Sequence, residues 1–80
     1  MSVASISLAR SREAMESAYR RGALPLPAGI TEDAFLTSAS RVFNRIADGE
    51  SFGELLIDGV EKPVVVLAVK TWLNAPSRRS

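Results

Sequence analysis

The chain of 80 residues contains no histidine and no cysteine. Histidine is the side chain whose ordinary pKa lies nearest neutrality, and cysteine is the best soft nucleophile and zinc ligand. Without them, thiol chemistry, histidine-based triads and the usual zinc and haem sites are excluded. The lack of disulfides fits a reducing compartment, and the expected location is cytoplasmic. Aromatics are few: Tyr19, Phe35, Phe43, Phe52 and Trp72. Long apolar runs are missing too. The longest, Val64 to Val69, is far short of the ~20 residues needed to cross a bilayer, so no membrane partner is expected.

Catalytic signatures are equally sparse. Gly49-Glu50-Ser51-Phe52-Gly53 lacks the lysine and the spacing of a phosphate-binding loop, and neither GxGxxG nor GxSxG occurs. The acids Asp48, Glu50, Glu54, Asp58 and Glu61 invite a calcium reading, but a loop starting at Asp48 places Phe52 at position 5 and Gly59 at position 12, where oxygen ligands belong. The expectation is a non-enzymatic protein with no cofactor and no metal.

What the chain does have is an ordinary globular composition, 46% apolar and 24% charged. Its length makes one domain, taken as residues 1–75, followed by a disordered basic tail at 76–80. A domain this small relies on well-packed helices or on a partner for stability.

The net charge of +1 hides a segregation. Residues 1–21 carry a net +2, residues 22–61 a net −5 and residues 62–80 a net +4. Basic ends around an acidic middle favour head-to-tail self-contact or docking on an acidic partner, although helix-end preferences alone also produce such a pattern. The first twelve residues, MSVASISLARSR, contain four serines and no acid. That composition is shared by mitochondrial presequences and type III secretion signals, but no cleavage site or long apolar core accompanies it.

The strongest helix signal runs over 32–48. Thr31 is a good N-cap, Glu32 and Asp33 suit the first turn, and Ile30 and Phe35 occupy staple positions. Phe35, Leu36, Ala39, Val42, Phe43, Ile46 and Ala47 form one stripe of roughly 140°, with Phe43 and Ile46 expected at its dense centre. Gly49 is placed to end the helix. A weaker helix is predicted over about 6–21, with Leu8, Met15 and Tyr19 on a narrow stripe. Between them, GALPLPAG forms a proline-containing link, 22–30, with Leu24 and Leu26 expected on the core.

Ser51 and Glu54 make a capping box for a third helix, 51–57. Pro63 suits the first position of a fourth, 63–74, with Val64, Val65, Ala68, Val69, Trp72 and Leu73 on its apolar side. The resulting fold class is all-α, a small four-helix domain. The alternative is α+β, with a hairpin at 54–66 turned by Asp58-Gly59.

Function is not written in any motif. The fourth helix is apolar around most of its circumference, and Leu67 falls among its polar residues. That points to a protein–protein interaction module of bacterial or phage type: an adaptor, chaperone, inhibitor or assembly component. Its partner is another protein or a second copy of the chain, and Leu67, Trp72, Val65 and Val69 are the candidate contacts. The alternative is a small nucleic-acid-binding regulator, contacting its ligand through Arg10, Arg20, Arg21, Arg78 and Arg79. Against it, the would-be recognition helix Ser51–Ile57 offers no cation or amide to a base edge. A further alternative, resting on the serine-rich start, is a component or substrate of a secretion apparatus.

Overall fold

The computed structural model describes residues 7–74; the start of the predicted first helix and the basic tail at 76–80 lie outside the described residues. Within 7–74 the protein is all-α. The helices are α1 (Leu8–Arg20), α2 (Glu32–Ala47), α3 (Phe52–Asp58) and α4 (Pro63–Asn74), with no strand among the described residues.

Local chemistry sets each boundary. The Ser7 hydroxyl accepts from the Arg10 N–H at the start of α1, and the Thr31 hydroxyl accepts from the Ala34 N–H at the start of α2. At α3 both halves of the capping box form. The Ser51 hydroxyl accepts from the Glu54 N–H at 3.1 Å, and the Glu54 carboxylate accepts from the Ser51 N–H at 2.8 Å. Gly59 ends α3 in the left-handed region, φ 67°. There a β-carbon would be strained, so glycine is the natural stop.

The hairpin alternative at 54–66 does not occur. The capping box commits 52–58 to helix, and Pro63 opens α4 with a ring already set to helical φ. A two-stranded hairpin would also leave one face of Val64–Val69 uncovered, whereas α4 packs against both α2 and α3.

The core draws on every element. Met15 and Ala18 come from α1, Leu24 from the link, Phe35, Leu36, Ala39 and Val42 from α2, Leu55 from α3, and Val65, Val66 and Val69 from α4. Several expectations need correcting. Phe43 and Ile46 are half-buried at the margin of the core, and the fully buried ring of α2 is Phe35. Leu24 is buried but Leu26 is exposed. Leu8 is exposed at the first turn of α1. On α4 the buried arc is turned toward Val66, since the helix serves two neighbours, and Val64 and Leu73 are left exposed.

Candidate functional site

The polar groups have first claim as a site, and the structure shows them engaged with one another. Arg12 donates to Glu16 at 2.8 Å, to Thr37 at 3.0 Å and to Asp33 at 3.2 Å, linking α1 to α2. Arg45 donates to Glu50 at 2.6 Å and also to Asp58, tying the end of α2 to the far end of α3. Arg41 grips Glu61 bidentately at 2.6 and 3.0 Å, and the Ser38 hydroxyl donates to the same carboxylate at 2.7 Å. Glu61 is only 4% exposed. The Arg41 hydrogen bonds hold its pKa below the usual glutamate range, against the opposing effect of burial. Arg45 does the same for Asp58, helped by the Val60 N–H. These carboxylates are therefore poor proton acceptors. They act as braces, and no group of three or more acids among the described residues is gathered to hold a metal ion.

The apolar surface is different. The exposed large hydrophobics of the described residues are Leu8, Leu26, Leu56, Ile57, Val60, Val64, Leu67 and Leu73, and five of them fall between 56 and 67. Ile57 is 87% exposed, Val60 69%, Leu67 47% and Val64 45%. Val64 and Leu67, three apart on α4, share a face. α3 has only seven residues; Leu55 is buried and Phe52 packs against the core, while Ile57 is left almost wholly in water. Scattered exposed leucines need no explanation, but a run of aliphatics in twelve consecutive residues does.

Val60, alone of these five, also lines a recess of about 240 Å³. Ile30, Ala34, Val60 and Val65 form its apolar wall, with Ser38, Arg41, Glu61 and Lys62 as its polar lining. The size is that of one or two side chains. A second hollow, of about 280 Å³, lies between α1 and α2 and is lined by Leu8, Ala9, Arg12, Thr37 and Ser40. It is narrower in chemical character, since Arg12 is already taken by its acids.

The residues singled out from sequence separate into three groups. Leu67 is exposed on α4, as its place among polar neighbours implied. Trp72 is half-buried, edge-on to Phe43 with ring centroids 5.7 Å apart, so one part of it packs and another meets solvent. Val65 and Val69 are fully enclosed by the core, and as partner contacts they must be set aside: α4 needs them to pack on its neighbours. Arg10, Arg20 and Arg21 are exposed, but they form no cluster of free cations. Arg20 lies 3.7 Å from Glu16, and Arg21 donates to the Ser17 hydroxyl at 3.4 Å. Arg78 and Arg79 lie outside the described residues.

Sequence reasoning missed Ile57, Val60 and the recess. The signal for Ile57 was present: a helix of two turns between a capping box and Asp58-Gly59 buries one side only, and FGELLID carries apolar residues on more than one. The recess is built by the link, α2 and the α3–α4 turn together, and no local pattern foretells it.

No helix among the described residues is long and apolar enough to cross a membrane. No protein-family model matches the chain, and no curated protein or solved structure is significantly similar to it.

Proposed function

We propose that the protein is a non-enzymatic interaction module whose working surface is the apolar strip from Leu56 to Leu67. One observation carries this reading: Ile57, Val60, Val64 and Leu67 are all well exposed within one short stretch of a small domain. Water-facing aliphatics at this density are unfavourable in a free monomer, at roughly 25 cal/mol per Å² of apolar surface, and covering them with a partner recovers that energy. The engagement of Arg12, Arg41 and Arg45 by acids argues in the same direction. It leaves no carboxylate poised for proton transfer in the recess, and it withdraws three arginines from any phosphate-binding role.

The test is binding by variants that keep the fold. Ile57→Ser and Leu67→Lys retain the helical circular dichroism of the parent and lose association with the cellular partner recovered by affinity capture. An Arg10→Ala, Arg20→Ala, Arg21→Ala triple variant retains that association. If the arginine variant loses binding and the apolar variants keep it, the docking reading is wrong and a phosphate-bearing or acidic ligand on α1 replaces it. Salt separates the two as well, since phosphate-driven binding falls steeply with ionic strength whereas apolar docking does not.

A further inference from the structure

We draw no further inference here: the strongest candidate, the exposed apolar face of α4 at Val64 and Leu67, is an unpartnered surface, and nothing in the structure shows what covers it.

Discussion

Helices α2 and α4 are both rich in apolar residues, yet they end in different situations. In α2 the buried residues Phe35, Leu36, Ala39 and Val42 gather on one side, and Arg41 and Arg45 on the remainder are clasped by acids from the α2–α3 turn, α3 and the α3–α4 turn. In α4 the buried Val65, Val66 and Val69 take one arc, while Val64, Leu67 and Leu73 are exposed, and Lys70 has no ion-pair partner among the described residues. The first helix has an internal partner for each kind of group it presents. α4 has more apolar surface than the other described residues cover. The contrast between the two helices is open to experiment.

The largest effect is expected at the centre of α2. Phe35 is fully buried and lies edge-on to Tyr19, with centroids 6.5 Å apart. Phe35→Ala should cost about 3–5 kcal/mol, a large part of the stability of a domain this size. Phe43→Ala removes a half-buried ring and should cost clearly less, through loss of the Trp72 contact. Urea denaturation of both variants decides it: equal losses would mean that the two rings share one core and that the margin drawn between them is false.

Next in size is the brace between α2 and the α3–α4 turn. Arg41→Ala leaves the enclosed Glu61 carboxylate with the Ser38 hydroxyl as its remaining side-chain partner, and should cost about 2–3 kcal/mol. Glu61→Gln leaves a half-exposed guanidinium that water resolvates, and should cost less. The pH dependence follows from the lowered pKa. Glu61 binds its proton less readily in the folded chain than in the unfolded one, so its contribution is fully present above the ordinary glutamate value of 4.5 and is lost as pH falls through the lowered folded value. Asp58 adds a loss of the same sign below its ordinary 3.8. Thermal melts of the parent should therefore be flat from neutrality to about pH 5 and fall below it, and Glu61→Gln should fall less steeply. A parent that gains stability on acidification would contradict this assignment.

A smaller effect belongs to the cap of α2. Thr31→Ala removes the hydroxyl that accepts from the Ala34 N–H at 3.2 Å and should cost about 1 kcal/mol. Hydrogen exchange at the first turn of α2 should quicken while the amides around Val42 stay protected.

Most of this architecture was legible in the sequence, because its signals are local. Thr31, Ser51 with Glu54, Gly49, Gly59 and Pro63 each act within a turn of helix, and each did what its chemistry implies. The α1 cap by Ser7 was not foreseen, since no acid follows it to complete a box. What periodicity could not supply was how far around each helix the core extends. That depends on which neighbours a helix meets: α4 meets two, so Val66 is buried and Val64 is not. Leu67 was legible as the misfit of α4 because its polar neighbours are in the same helix. The recess was not, because it appears only when Ile30, Ala34 and Val60 are brought together across more than twenty-five residues of chain.

The smallest expected effect on stability is the one that bears most on function. Leu67 is exposed, so Leu67→Lys removes little buried surface and places a residue of good helix propensity in α4. Ile57→Ser alters a side chain that touches almost nothing. Each should lie within about 0.5 kcal/mol of the parent in urea denaturation. The same kind of change on α2, Leu36→Lys, should abolish the folded state, because Leu36 is buried and a lysine there has neither water nor a partner. If Leu67→Lys destabilises the isolated chain by several kcal/mol, then α4 is covered from within and the asymmetry between the two helices disappears. If stability is untouched, Leu67 contributes nothing measurable to folding, and its effect must be sought in binding on the outer face of α4.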